Sequence, residues 1–493
     1  MINFYFEGHN FEYEVRNALR VFDLNIKYKI RDTSEISENT GLGLFTIIEK
    51  QNDDFVGKAK LYKDNEELFK IEIKGKDIIL EKENEKKLKK IVVVKSVHNV
   101  FKNYYKITPE YGLLIGVRPV KILFVAKNSG KSKAEINRIL KDTYEVSLDK
   151  IKLLWDVLEI EEKYIKKEYR NKNYNLYIGV PFCPTKCSYC SFTSYINKEG
   201  SIEKYLKTLK YEIEKSIQLA LEKNLKLNSI YIGGGTPSIL NEKQINMIFD
   251  SIRKYYDLSS IKEISFEAGR PDTIDENMLY CLKKNYVNRI SINPQTMKQS
   301  TLDIIGRKHS VKDIKDKYLL ARKIKFNSIN MDIILGLPNE DENEVNHTIN
   351  EIIKLKPDNI TVHALAYKRN SLLTKQSLQY SKEYNLLKNM QKIVEERCLE
   401  NNYKPYYMYR QKNIKGNLEN VGFAIKNKEC IYNMIIIEEN ETILACGAGA
   451  SSKIMVNNDR HKPIHNFKGL DDYNNRIDEI IEKKIDLIRE IPS

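Results

Sequence analysis

Apolar and polar positions change rhythm near residue 176, and that change divides the chain. Beyond it, short apolar runs with strand character alternate with longer segments in which apolar residues recur every third or fourth position. The runs at 176–182, 229–234, 261–268, 287–293, 329–335 and 359–367 predict strands. The segments at about 200–225, 241–256, 275–285, 311–325, 341–355 and 378–401 predict helices. Such β/α units in series imply parallel strands joined by crossover helices. Six units fall short of the eight that close a full barrel. The expected fold class is therefore α/β, an open (β/α)6 partial TIM barrel over residues 171–401.

The flanking regions have other patterns. Residues 2–6, 24–30, 43–49, 55–62 and 68–73 predict strands, and 11–22 a helix, which makes 1–95 a small α+β domain. It carries no glycine-rich phosphate loop and no metal-spaced cluster. After a charged run at 82–90, helical periodicity at 92–105 and 131–168 marks a helical connector over 96–170. Between these helices lies Y-G-L-L-I-G-V-R-P-V-K-I, where Gly116, Arg118 and Pro119 form a turn that either joins the helices or holds an anion. Residues 402–493 predict a C-terminal α+β domain: a strand pair at 431–438 and 441–446, the small-residue run Gly447-Ala448-Gly449-Ala450-Ser451-Ser452, and an amphipathic helix over about 470–490.

Composition narrows the class. A chain of 493 residues with 41% hydrophobic and 30% charged residues reads as soluble and globular. No run nears the roughly 18 apolar residues that a membrane helix needs. Its first residues lack the pattern of an export signal, and seven scattered cysteines fit a reducing compartment, so a cytoplasmic location is expected. The net charge of +14 accompanies a chain rich in Lys, Asn, Ile and Tyr, and does not argue for a nucleic-acid partner. The N-terminal strands also lack the aromatic and basic pattern of single-stranded RNA readers.

The chemistry concentrates in one loop. After the strand at 176–182, Cys183, Cys187 and Cys190 are spaced C-x3-C-x2-C. A structural zinc closes four ligands around the metal, whereas an iron–sulfur cluster held by three cysteines keeps one iron open. Spacing alone leaves both readings, since a distant His or Cys could complete a zinc site. Cys281, Cys398, Cys430 and Cys446 lie outside ligand spacing and read as small buried hydrophobes. Other candidates fall at the carboxyl ends of the predicted strands, where β/α folds gather their chemistry. They are the triplet in Gly233-Gly234-Gly235-Thr236-Pro237-Ser238, whose missing side chains admit a ligand to the backbone, then Glu267, Gln295, and Asp332 in an otherwise apolar strand. Arg270 offers Glu267 a competing ion pair, and His363 reads as a hydrogen-bonded core residue.

With Tyr189 before the third cysteine and Tyr177 six residues before the first, the run Y-I-G-V-P-F-C resembles the radical S-adenosylmethionine (SAM) superfamily. Within it the run resembles the oxygen-independent coproporphyrinogen III oxidase family. The resemblance spans about residues 174–460, and the length and G-V-R-P segment are similar to a long variant. It implies a 4Fe-4S cluster on Cys183, Cys187 and Cys190, with SAM chelating the open iron. It also implies a SAM site formed by Tyr177, Tyr189, Gly234, Gly235, Thr236, Glu267, Gln295, Arg307, Asp332 and Ala366, with Arg307 on a helix beyond Gln295. The C-terminal domain, containing Y-Y-M-Y-R-Q-K-N and C-G-A-G-A-S-S, would cover the open side of the barrel. The implied activity is oxidative decarboxylation of coproporphyrinogen III to protoporphyrinogen IX, with a donor such as flavodoxin or ferredoxin reducing the cluster. A tetracarboxylate substrate would meet cations, for which Arg270, Lys308, Arg410 and Lys412 are candidates. One position departs from the oxidase pattern: Phe192 stands where that branch carries a further cysteine, which resembles the haem-chaperone branch. A tRNA-modifying radical enzyme is a third reading, to which the basic charge alone lends support.

Overall fold

The computed structural model describes the chain apart from residues 24–25, 39, 191, 197–199, 367–379, 412–417, 458–459 and 492–493. It forms two compact units. The first comprises Met1–Leu158, Gln376–Lys388 and Tyr409–Glu419; the second comprises Glu159–Lys375, Asn389–Met408 and Asn420–Ser493.

In the first unit, β1 (Ile2–Glu7) lies between β2 (Tyr28–Ile30) and β3 (Leu42–Gln51), parallel to both. β4 (Asp54–Lys63) and β5 (Glu66–Lys74) continue the sheet as an antiparallel meander. Its two hairpins turn at Asn52-Asp53 and Asp64-Asn65, all four with positive φ, the conformation for which Asn and Asp are favoured in two-residue turns. The expected strand at 24–30 is shorter, only β2, and Leu24 lies outside the described residues. Helix α1 (Glu12–Arg20) follows β1, and α2 (Glu85–Tyr105) packs on the sheet. A Cβ added at Gly57 would lie 2.4 Å from the backbone of Val92, so a glycine in β4 is what allows the helix to approach. The G-V-R-P segment leads into a helix that the turn reading missed, α3 (Val120–Asn128), with Pro119 at its N-cap. α4 (Lys133–Arg138) and α5 (Leu148–Tyr164) follow.

The second unit contains an eleven-stranded sheet. Its centre is six parallel strands in sequence order: β6 (Asn173–Val180), β9 (Lys226–Gly234), β10 (Glu263–Gly269), β11 (Arg289–Ile292), β12 (Ser328–Leu335) and β13 (Asn359–Ala364). This is the open (β/α)6 arrangement. Ile178, Ile232, Ile264, Ile292, Ile329 and Val362 are each at most 1% exposed, as in strands covered on both faces. β7 (Phe182–Cys183) and β8 (Tyr195–Ile196) form a separate two-stranded ladder.

The helices between the strands are α6 (Ser201–Glu222), α7 (Glu242–Arg253), α8 (Glu276–Lys284), α9 (Gln299–Ile304), α10 (Val311–Lys323) and α11 (Glu342–Leu355), with α12 (Tyr380–Glu400) after β13. Capping sets several of their starts. Asn241, Ser310 and Asp341 each accept a hydrogen bond from a backbone N–H in the first turn, and their own backbone N–H groups donate to the side-chain oxygens of Gln244, Asp313 and Glu344.

The C-terminal segments extend both edges of this sheet. β14 (Lys404–Tyr409) and β15 (Asn420–Ala424) lie beyond β13, with β15 antiparallel to it. At the other edge β16 (Thr442–Cys446) runs parallel to β6, followed by the antiparallel β17 (Ser451–Asn457) and β18 (Arg460–His465). The expected strand at 431–438 is instead a helix, α13 (Ile431–Glu438), whose first amides, Ile431 and Tyr432, donate to the buried carboxylate of Glu263. Isoleucines on several faces hid its helical period, and the anion at its N-terminus satisfies amides that would otherwise be orphaned. The single closing helix divides into α14 (Leu470–Asn475) and α15 (Ile477–Arg489).

A buried ion pair joins these C-terminal elements to α6. Lys484 Nζ donates to Glu212 Oε1 at 2.7 Å and to the Ala445 carbonyl at 2.9 Å, and both charged side chains are 0% exposed. Glu212 Oε2 accepts from Gly447 N at 2.7 Å and from Tyr473 Oη at 2.6 Å. Removing one partner leaves a charge in a dry site, at a cost of about 3–5 kcal/mol. Lys484→Met should therefore lose that much stability in urea unfolding, and Glu212→Gln/Lys484→Met should lose clearly less. Equal losses in the two proteins would show that packing, and not the unpaired charge, dominates.

Candidate functional site

β6 leads directly into the cysteine loop. Cys183 lies on β7, Cys187 is buried, and Cys190 is half-buried. The loop is fastened at several points: Tyr195 N donates to the Pro181 carbonyl at 2.7 Å, Ser188 N to that of Ile305 at 3.1 Å, and Cys190 N to that of Cys187 at 3.1 Å. Burial pushes the Cys190 thiol above its usual range, and the neighbouring Cys187 and Cys183 push it further. Among the described residues no three His, Cys, Asp or Glu side chains, those of the cysteine loop included, gather around a single ion position.

Arg270 is built into this loop. Its guanidinium makes a two-pronged contact with Asp272 at 3.0 and 2.7 Å, and its third nitrogen donates to Thr185 Oγ1 at 2.8 Å and lies 3.8 Å from Cys187 Sγ. The competing reading, in which Arg270 pairs with Glu267, is therefore corrected, and so is its expected place as a free cationic wall. Of the other expected cations, Lys308 is exposed, Arg410 belongs to the first unit, and Lys412 lies outside the described residues.

The glycine triplet serves close packing. A Cβ at Gly235 would lie 2.6 Å from the Phe182 carbonyl oxygen and 3.0 Å from Cys183 Sγ, and one at Gly233 would lie 2.8 Å from Glu267 Oε2. Gly234 has φ +116°, which favours glycine. The amides of Gly235 and Thr236 donate to the carbonyls of Val180 and Phe182, both at 2.8 Å, so these N–H groups are used inside the fold. Thr236 Oγ1 lies 3.3 Å from Cys183 Sγ. The space left by the missing side chains is thus occupied by the cysteine loop and by Glu267.

Glu267, at the end of β10, accepts hydrogen bonds from Tyr231 Oη and, at 3.4 Å, from Gly234 N. Tyr177, Tyr231 and Tyr432 stack, with ring centroids 4.5–6.3 Å apart. On the next strands, Gln295 N donates to the Asp332 carbonyl at 2.9 Å, and Asn330 donates to Asp332 Oδ1 at 2.7 Å. His363 Nε2 is 3.8 Å from Asp332 Oδ2, beyond hydrogen-bond distance. Gln295 has φ +67°, a strained backbone for a non-glycine residue. Arg307 lies between α9 and α10, not on a helix as expected, and donates to Tyr189 Oη at 2.7 Å. Ala366 is half-buried just beyond β13, and Tyr367 lies outside the described residues.

Several buried polar atoms here have no hydrogen-bond partner: Gln295 Oε1, Arg307 Nε and Nη1, Asn293 Oδ1, Ser291 Oγ and Ser265 Oγ. Buried polar atoms are almost always paired, so these exceptions offer donors and acceptors to a charged, polar ligand. Arg307 suits a carboxylate, and the amide oxygens of Gln295 and Asn293 suit an ammonium. The sequence reading missed Asn293, Ser291 and Ser265. The available signal was a polar residue at every second position of S-I-N-P-Q, within a strand otherwise buried on both faces.

Burial raises the Glu267 carboxyl to about 7 from 4.5, and the charge of Asp332 adds to the effect against the hydrogen bonds from Tyr231 and Gly234. Between these two values the folded chain holds a proton that the unfolded chain has released. The stability contributed by this group is therefore full below 4.5 and is lost as pH rises through 7. Urea unfolding at pH 5 and pH 8 should show a fall larger by about 1–3 kcal/mol in the parent protein than in Glu267→Gln. Identical falls would mean that the carboxyl titrates as in water.

Residues 177–352 match the profile of the radical SAM superfamily. The chain is 39% identical over 402 residues to an oxygen-independent coproporphyrinogen-III oxidase-like protein, HemZ, of Bacillus subtilis, with 80% of each chain covered. It is 32% identical over 304 residues to the heme chaperone HemW of Buchnera aphidicola (subspecies Schizaphis graminum), covering 61% of this chain and 76% of that one. The solved coproporphyrinogen III oxidase (HemN) of Escherichia coli aligns with a TM-score of 0.49 at 21% identity, over 64% of this chain and 71% of that one. From the identity and extent of the match to HemZ, the chain belongs to the oxygen-independent coproporphyrinogen III oxidase-like family of the radical SAM superfamily, whose cofactors are a 4Fe-4S cluster and SAM.

Proposed function

We propose that the chain oxidatively decarboxylates coproporphyrinogen III to protoporphyrinogen IX without oxygen, taking its reducing electron from a donor such as flavodoxin or ferredoxin. The observation that carries this reading is the set of unpaired buried atoms on Arg307, which donates to Tyr189 of the three-cysteine loop, and on Gln295 and Asn293 just beyond β11. When bound, the cluster and SAM supply a 5′-deoxyadenosyl radical able to take a hydrogen atom from a propionate side chain. Cys183, Cys187 and Cys190 would hold three irons. Arg270, locked to Asp272, would keep Cys187 in position and lower the charge on its sulfur. Arg307 would pair with the carboxylate of SAM, with Tyr189 orienting the guanidinium. Gln295 and Asp332 would receive its amino and adenine-side polar groups. Glu267, half-protonated near pH 7, can both donate to and accept from ribose hydroxyls. Gly234, Gly235 and Thr236 would hold the cysteine loop against this site, and Tyr177 and Ala366 would provide its walls. The tyrosine stack behind Glu267 helps exclude water, which a carbon radical requires.

A second reading, a haem chaperone that keeps the cluster and SAM without decarboxylating, is favoured by one residue. Phe192 is 66% exposed at the position where the oxidase branch carries a cysteine, and HemW proteins are among the relatives.

Anaerobic reconstitution with iron and sulfide, followed by assay of 5′-deoxyadenosine and tetrapyrrole products, separates these readings. The oxidase reading expects protoporphyrinogen IX and 5′-deoxyadenosine production that rises with coproporphyrinogen III. The chaperone reading expects no such product and a haem difference spectrum instead. Arg307→Gln should weaken SAM binding at least tenfold while keeping iron content, whereas Cys187→Ala should lose the cluster absorbance. A reconstituted parent protein that holds no iron would overturn both readings.

A further inference from the structure

Strand register places polar rows inside the parallel sheet of the second unit, beside and beneath Glu267. Tyr231 on β9, Ser265 on β10 and Arg289 on β11 are partners across the ladders. The next row toward the carboxyl ends is Glu267 on β10, Ser291 on β11, Asn330 on β12 and Asn359 on β13. Register partners and residues two apart share a face, and all of these line one cavity of about 20 Å³. In most β/α barrels such rows are filled by branched apolar side chains. Here two positions are serines, 2% and 8% exposed, whose hydroxyls Ser265 Oγ and Ser291 Oγ reach no partner. The charges around the cavity are already met. Arg289 lies 3.8 Å from Glu263 and donates to Ser328, Asn359 and the Lys428 carbonyl, while Glu267 accepts from Tyr231 and Gly234. Asn330 accepts from Thr361 at 2.9 Å and donates to Asp332 at 2.7 Å. The serine hydroxyls are neutral, and each can donate one hydrogen bond and accept two. The volume admits one water, which needs roughly 10–15 Å³, and excludes organic ligands, whose pockets begin near about 300 Å³.

We propose that this cavity is the site of one ordered water, which bridges Ser265 Oγ and Ser291 Oγ and donates to the Glu267 carboxylate from within the barrel. The water gives that carboxylate a partner on its closed side, whatever ligand covers it from the open side. Protein groups alone form the site, so it is present in the iron-free chain, and its test is separate from that of the oxidase reading.

A crystal structure of the full chain, at a resolution that shows its other buried waters, should contain a density peak within about 2.5–3.0 Å of both hydroxyl oxygens. In Ser265→Ala/Ser291→Ala, which removes the hydroxyls without adding bulk, the peak should be gone. Loss of a donor favours the neutral form of a carboxyl. The pH at which the Glu267 contribution to stability is lost should therefore rise by about one unit in the double variant, a tenfold gain in proton affinity. Each protein is compared with its own Glu267→Gln derivative in urea unfolding. The titratable groups acting on Glu267 from neighbouring elements, Tyr177, Tyr231, Asp332, His363 and Tyr432, are unchanged in every protein compared. Ser291→Ala alone makes the same comparison if the double variant does not fold. A cavity without density, density larger than one water, or an unchanged midpoint in the variants overturns the proposal.

Discussion

Arg307 sets the terms for the second unit. It is 7% exposed, and two of its donor nitrogens have no hydrogen-bond partner. A cation withdrawn from water in this way costs several kcal/mol unless an anion meets it. The surrounding construction holds it there. The Ile305 carbonyl accepts from Ser188 of the cysteine loop, Tyr189 accepts from the guanidinium, and the strained backbone at Gln295 is fixed between Asp332 and Ile334. The fold sustains an unfavourable local electrostatic state so that a ligand completes it, and this is preorganisation in its ordinary physical sense.

The cysteine loop, the glycine triplet and Arg270 form one packed joint. Thiols, backbone carbonyls and a glycine approach within distances that a methyl group would prevent, so the end of the second parallel strand lies directly against the end of the first. In that arrangement Gly235 acts as a spacer of zero length between Phe182 and Cys183. Arg270 adds positive charge beside Cys187, while Asp272 balances it and fixes its direction. A cluster of thiolates gains from such a neighbour, because each N–H directed at sulfur favours the more reduced, more negative state.

How much of this was legible in the sequence follows from what each residue pattern encodes. The six parallel strands were legible because strands buried on both faces read as continuous apolar runs, and the helices because their polar faces meet solvent and their caps are Asn, Ser and Asp. α13 was misread because isoleucines surround it and erase the period. α3 was missed because a Gly-Val-Arg-Pro turn drew the reading toward a loop. The competing ion pair of Arg270 with Glu267 rests on proximity in sequence alone, but a strand end separates side chains that chain order places together, and Asp272 two residues on is better placed. Asn293 and Ser291 went unnoticed because their signal is an unsatisfied buried atom, which only three-dimensional packing reveals. The joining of 376–388 and 409–419 to the first unit is likewise a non-local fact with no local signature.

The pairing of β6 with β16 has a consequence for biosynthesis. β6 carries the chain into the cysteine loop, yet one of its two neighbours is not made until some 260 residues later. On the ribosome, the β9 side of β6 can be paired early, while its other edge offers unpaired amides and carbonyls to any passing strand. Until residues 442–446 emerge, that edge of the radical core stays open, and a nascent chain stalled before them presents a template for aggregation.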